Sequence, residues 1–359
     1  MVQTQIRIKV AERIEQLSQE PATFKKRLLA SNSTTDSRTP TYVDIAPARV
    51  YDEPGKRILI VLRTPPCPHN CTMCGFRNEA ITKVTSEDLV AQLVSGLDST
   101  LSMVETTTPV RVSLCTSSST FNPRIPFAFW ENAMQIVGRD LRVLEVDVEA
   151  RADEVIVQSN ISRLVHLQTI LGQDKRLIVG MGLETIDNFI RNNLIGKMLP
   201  LETFESAVNS LGNAGMNAYA YVLLKPPGLT EQECVDECVK TIKYFFNLAK
   251  QANVPHFRTT LKPLFITKGT ILERLYLEGL ASPPTLWSLL EVLKRVHHLG
   301  TIFSPRTDEN LSDDRAAKNC PECNLRVHKA IHEFNRTGDV HSLDVESCAC
   351  RESMTGVKI

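Results

Sequence analysis

The chain has 359 residues, 42% hydrophobic and 23% charged, enough apolar material for a large core and too much for wholesale disorder. Its 41 Lys plus Arg cancel its 41 Asp plus Glu, which excludes a global pull toward phosphate backbones or acidic membrane surfaces. No apolar run approaches the ~20 residues of a membrane span, and the polar start MVQTQIRIKV does not read as a signal peptide. A soluble, cytoplasmic chain is expected.

Residues 1–50 read as an N-terminal extension. Ile6, Val10, Ile14 and Leu17 recur at helical spacing, and SNSTTDSRTPT (31–41) follows as a polar linker. Lys25, Lys26 and Arg27 form a short basic cluster that reads as a solvated helix face. From residue 56 strand-length apolar runs alternate with helical stretches. The runs are Arg57–Arg63, Val110–Cys115, Leu141–Val148, Arg176–Leu183, Ala218–Leu224 and Phe257–Leu261. Helices are expected over Ser86–Leu97, Phe127–Val137, Leu201–Ala214 and Glu231–Gln251, the last with Thr230 and Glu233 at capping-box spacing. Six β/α units imply an α/β fold, a parallel sheet curled into a partial (β/α)6 barrel with its ligands at the carboxyl ends of the strands. Three regions follow: an extension over 1–50, the barrel over 51–305, and a small cysteine-rich tail over 306–359.

Seven of the ten cysteines fall into two tight groups, a pattern of metal or cluster ligation rather than of a disulfide framework. The first group, Cys67, Cys71 and Cys74, sits in RTPPCPHNCTMCGF (63–76), directly after the first expected strand. A closed structural zinc needs four ligands, with His69 or a distant residue as the fourth. Three thiolates on one loop can instead hold three irons of a 4Fe–4S cubane and leave the fourth iron open. The second group is Cys320 and Cys323 as C-x2-C, with Cys348 and Cys350 as C-x-C. These four suit a tetrahedral structural zinc and would also hold a second 4Fe–4S cluster; with no redox role evident, zinc is the expectation. Cys234 and Cys238, four apart on a helix, read as small buried hydrophobes.

The C-x3-C-x2-C loop after strand one resembles that of the radical S-adenosylmethionine (SAM) superfamily, although Met73 stands where an aromatic residue is often found before the third cysteine. The resemblance implies a 4Fe–4S cluster on Cys67, Cys71 and Cys74, with SAM chelating the open iron. It also implies one-electron cleavage of SAM to a 5′-deoxyadenosyl radical that abstracts hydrogen from substrate, with ferredoxin or flavodoxin as a suitable electron donor. Four strand ends supply candidate SAM contacts. They are Ser117, Ser118 and Ser119 in TSSSTFN (116–122), Glu149 and Arg151 in VEAR (148–151), Glu184 in GMGLET (180–185), and Lys225 and Pro226 in VLLKPPG (222–228). Alternation puts Glu149 and Arg151 on one side of the strand. Gly180 and Gly182 would let a ligand approach the backbone. Glu184 and Lys225 read equally as ion-pair members, and Arg191 and Lys197 are weaker candidates.

Several longer segments, GLETIDNFIRNNLIGK (182–197), YVLLKPPGLTEQE (221–233) and KPLFITKGTILERLYLEGLASPPTLWSLLEVL (262–293), resemble the radical SAM subunits of archaeosine synthases and their relatives. The likeness runs from about residue 56 to the closing C-x-C. It implies C–N bond cleavage of a lysine–deazaguanine adduct on tRNA, with a tRNA-binding partner subunit. Two alternatives stay open: a radical SAM enzyme acting on a small-molecule or peptide-borne group, and a binding protein stapled by two zinc sites.

Overall fold

The computed structural model describes residues 2–19, 36–305 and 314–352. The basic cluster at 25–27, the first half of the linker and the start of the tail lie outside the described residues. Eight strands form one sheet in sequence order: β1 (Tyr42–Val50), β2 (Glu53–Leu62), β3 (Val110–Thr116), β4 (Val143–Glu149), β5 (Arg176–Glu184), β6 (Asn217–Leu224), β7 (Phe257–Pro263) and β8 (Ile302–Phe303). From β2 to β8 every pairing is parallel, and the six expected strands are β2 to β7. Their near-continuous Val, Ile and Leu content reflects burial on both faces, outward under helices and inward in the lumen.

The helices in order are α1 (Val2–Gln19), α2 (Ser86–Leu101), α3 (Phe127–Gly138), α4 (Ala152–Val155), α5 (Gln158–Leu171), α6 (Leu201–Asn213), α7 (Glu231–Gln251), α8 (Ile271–Leu277), α9 (Leu286–Val296), α10 (Pro321–Thr337) and α11 (Ala349–Glu352). The capping box expected at α7 is present, with Thr230 and Glu233 each accepting from the other's backbone N–H. In α1, Val10, Ile14 and Leu17 are buried in the main core, as their spacing predicts.

Two strands add to the six expected. β1, within the stretch read as extension, pairs antiparallel with β2 through a tight turn at Tyr51 and Asp52, both at positive φ. Pro47 argues against a central strand but is tolerated here because β1 lies at the sheet edge. β8 has two residues, too short to register as a periodic run. The two edges approach each other without pairing: Phe303 of β8 packs with Ala46 and Ala48 of β1, and Thr301 Oγ1 donates to Asp52 Oδ1 at 2.7 Å. The sheet is thus an almost closed barrel rather than an open one.

The tail does not form a separate core. Cys323, Val327, Ile331 and Phe334 of α10 join the main hydrophobic cluster. Asn335 ties α10 to β8, accepting from Ser304 N–H at 3.0 Å and donating to its carbonyl at 2.6 Å.

Candidate active site

The loop carrying Cys67, Cys71 and Cys74 leaves the carboxyl end of β2 and crosses the barrel mouth. Thr72 fixes it: its N–H donates to Ile195 O at 2.8 Å, its hydroxyl to Leu194 O at 2.9 Å, and its carbonyl accepts from Leu272 N–H at 3.0 Å. Leu194 closes a π-helical turn, Ile190–Leu194, a conformation concentrated at functional sites. Arg191 in that turn is fully buried, donating to Leu199 O at 2.8 Å, to Thr185 O at 2.6 Å and to Asn188 Oδ1. It therefore braces the segment between Glu184 and Lys197. All three cysteines are free thiols and part-exposed. Burial, then the neighbouring Cys71, push the Cys74 thiol up to about 12. Burial also raises Cys71, against the nearby Lys197 ammonium.

Lys197, a weaker candidate in the sequence, meets Glu184 beside the loop. Its Nζ donates to Glu184 Oε1 at 2.7 Å, and both side chains are nearly buried. Burial disfavours its charge, but Glu184 and then Cys71 hold the ammonium above its usual value. Glu184 lies at φ 63°, a left-handed conformation that costs a non-glycine residue energy and clusters at functional sites. The glycines expected to admit a ligand instead admit the chain's own side chains. A Cβ on Gly182 would stand 2.1 Å from Lys197 Nζ, and one on Gly180 would stand 2.2 Å from the Tyr219 ring.

Beside the loop is a cleft of about 170 Å³ lined by Cys67, His69, Ser118, Ser119, Arg151 and Glu154, among others. Ser119 donates to the Glu154 carboxylate, and Ser118 accepts from Asn122 Nδ2 at 3.0 Å. Arg151 joins the cleft to the Glu184 side, donating to Asp153 Oδ1 at 3.0 Å and to Lys197 O at 3.2 Å. The structure thus brings together Ser118, Ser119, Arg151 and Cys67, with Glu184 next to Cys71. Ser117 stands apart: it is buried, with its N–H on Thr64 Oγ1 at 3.0 Å.

Glu149 and Arg151 share no contact among the described residues, because β4 ends at Glu149 and Arg151 already caps α4. Glu149 points into the lumen, where Cys115 donates to its Oε1 at 3.0 Å and Tyr221 donates to the same oxygen. Neither tyrosine stood out in the sequence; the signal was their i, i+2 spacing along one face of β6. Lys225, at φ 66°, pairs with Glu231 at 2.5 Å, as its ion-pair reading anticipated, and Pro226 beside it is buried. A larger surface groove, about 860 Å³, runs along the outer face of α2 past Arg38, Val90, Val94 and Asp98. It holds no cysteine and lies away from the strand ends.

The C-terminal cysteines form a compact set. Cys320–Cys323, Cys320–Cys348 and Cys323–Cys350 sulfurs are each 3.5 Å apart, and all four lie within 4.8 Å of one another. Among the described residues this is the one group of three or more potential ligands drawn so close. Trp287 Nε1 donates to Cys350 Sγ at 3.2 Å. Burial would raise the Cys350 thiol, but that bond, the Cys320 backbone and the Cys323 and Cys320 thiols hold it down at about 6, whereas burial pushes Cys323 up to about 12. Asn319, next to Cys320, accepts from Leu286 N–H at 3.0 Å and so caps α9. Cys234 and Cys238 are buried in the core, as expected.

No family model matches the chain. It is 25% identical over 285 residues to archaeosine synthase subunit beta of Methanosarcina acetivorans, covering 79% of this chain and 78% of the relative. It is 27% identical over 319 residues to archaeosine synthase subunit beta of Thermococcus kodakarensis, covering 84% and 92%. Among solved structures, a radical SAM methyltransferase from Sphaerobacter thermophilus superimposes with a TM-score of 0.47 at 14% identity, covering 84% of this chain and 86% of that one. The resemblance stated from the sequence is therefore found: the chain is similar to archaeosine synthase beta subunits along most of its length. Among the described residues no helix is long and apolar enough to cross a membrane.

Proposed function

We propose that this radical SAM-type enzyme reductively cleaves SAM and uses the radical for C–N bond cleavage of a lysine–deazaguanine adduct on tRNA. The observation that carries the chemistry is the three-cysteine loop held over the barrel mouth beside the buried Glu184–Lys197 pair. The donor set fits a 4Fe–4S cluster: three thiols from one loop, with a fourth iron left for an outside ligand. Thiols raised by burial give up their protons when metal binds, and the Lys197 ammonium offsets the negative charge then gathered there. The chemistry supplied by the bound cluster is one-electron cleavage of the SAM sulfonium to a 5′-deoxyadenosyl radical.

The chain's own residues position SAM in this reading. Arg151 pairs with its carboxylate, Ser118 and Ser119 receive its amino group, and Glu184 takes the ribose hydroxyls. Lys225 and Pro226 shape the rim where the adenine lies, with Glu231 fixing Lys225. The names of the relatives support the substrate and a complex with a tRNA-binding subunit; a ferredoxin or flavodoxin suits the electron supply.

For the C-terminal quartet the proposal is structural zinc. Four thiolates at Zn–S distances of about 2.3 Å have edges of about 3.8 Å, close to the spacing seen, whereas ligands on four separate irons need a wider cage. The substrate is tested by incubating the reduced enzyme, SAM and adduct-bearing tRNA, then digesting the tRNA for mass spectrometry. An amidine in place of the adduct is expected. Adduct left intact while SAM is consumed would move the search to small-molecule or peptide-borne substrates.

A further inference from the structure

Below the mouth, the lumen carries a polar set to which the reading above gives no part in holding SAM. Side chains at alternate positions of β3, β4, β6 and β7 point inward in layers. The lower layer is a sealed ion cluster: Arg258 Nη2 reaches from β7 to Asp147 Oδ1 of β4, Arg111 Nε lies 3.6 Å from Oδ2, and Ser113 donates to Oδ2 at 2.6 Å. The next layer up holds Cys115, Glu149, Tyr219 and Tyr221. There Glu149 Oε1 takes the Cys115 thiol and the Tyr221 hydroxyl, with Tyr219 Oη 3.4 Å away. Glu149 Oε2 accepts no hydrogen bond among the described residues, and the side chain is only part-buried. The carboxylate is therefore held in orientation through one oxygen.

We propose that Glu149 is a substrate-binding residue whose Oε2 accepts an N–H from an alkylammonium group. Resting on the substrate reading above, that group is the α-ammonium of the adduct's lysine. Asp147, buried one layer below, has both oxygens engaged, whereas Glu149 keeps one oxygen without a donor among the described residues. The strand ends of an α/β barrel are also where its ligands enter.

The test separates this subsite from the substrate reading by using two probes. n-Butylammonium, with n-butanol as the uncharged control, is titrated into cluster-reconstituted protein at pH 7.5 and followed by ligand-observed NMR. The wild type is expected to bind the amine and not the alcohol, and Glu149→Gln to weaken amine binding roughly tenfold or more. Unchanged melting and cluster absorbance certify the folded variant; Tyr221→Phe, which removes one donor from Oε1 without removing the charge, should weaken binding only a few-fold. Equal amine binding by wild type and Glu149→Gln overturns the proposal. In the second arm, adduct tRNA with an α-N-acetylated lysine should lose turnover on the wild type and suffer no further loss on Glu149→Gln. Independent, additive losses would also overturn it. Amine binding that depends on Glu149 with no turnover of any adduct tRNA would leave the subsite standing and reject the tRNA substrate.

Discussion

On the proposed reading, the two cysteine centres use the same ligand atom to opposite ends. At the mouth, three thiols share one loop, part-exposed, beside a strained Glu184 and a buried ammonium. At the tail, four thiols from two segments close on one another within 4.8 Å and receive the Trp287 N–H. Three spread ligands with an open side suit a group that must still bind something; four closed ligands suit one that must not. Counting thiols and measuring their spread therefore separates chemistry from stapling before any metal is identified.

Cys71→Ala breaks the comparison at its reactive end. It should abolish SAM cleavage, on the order of a thousandfold or more, with little change in melting, since Cys71 is part-exposed and its loop is held by Thr72. Iron and acid-labile sulfide analysis, paired with melting, checks it. Cys323→Ser should do the reverse, releasing bound zinc and lowering stability by several kcal/mol while iron at the mouth stays. Loss of iron with zinc retained would exchange the two roles.

Asp147→Asn addresses the lumen between the centres. It takes the Asp147 charge from Arg258 and Arg111, leaving Arg258 only Glu145 at 3.9 Å, a cost of about 3–5 kcal/mol in chemical denaturation. Burial alone would raise the Asp147 carboxyl, but Arg258 and Arg111 hold it below its usual range. Its contribution is therefore fully present above pH ~3.9 and is lost as pH falls through the lower folded value. Acid titration of wild type should show that loss, and the Asn variant should lack it. The smallest effect belongs to Trp287→Phe, which removes one N–H···S bond from Cys350. About 1 kcal/mol is expected, with weaker zinc retention against a chelator as the readout.

Most of the barrel was legible because its strands are apolar on both faces and carry the runs that periodicity detects. β1 was hidden by Pro47 and the charges of an edge strand, and β8 by its two-residue length. The two cysteine groups were legible as candidate ligands because metal chemistry fixes spacing within a segment. Pairings between distant strand ends were not. Nothing in the sequence joins Lys197 to Glu184, or sends Glu149 toward Tyr221 rather than toward Arg151. Alternation predicted the shared side of Glu149 and Arg151 only on the assumption that the strand continued, and it stops at Glu149. The glycines misled for a related reason: Gly180 and Gly182 make room for the chain's own Tyr219 and Lys197.

The central claim is that the mouth thiols carry the reaction and the tail thiols the structure. Its most direct test is 5′-deoxyadenosine formed from SAM, per mole of folded protein, by anaerobically reconstituted and reduced wild type, Cys71→Ala and Cys323→Ser. The account predicts product from the wild type, none from Cys71→Ala, and a yield from folded Cys323→Ser within about two- to threefold of wild type. Product from Cys71→Ala, or a silent but folded Cys323→Ser, would contradict it.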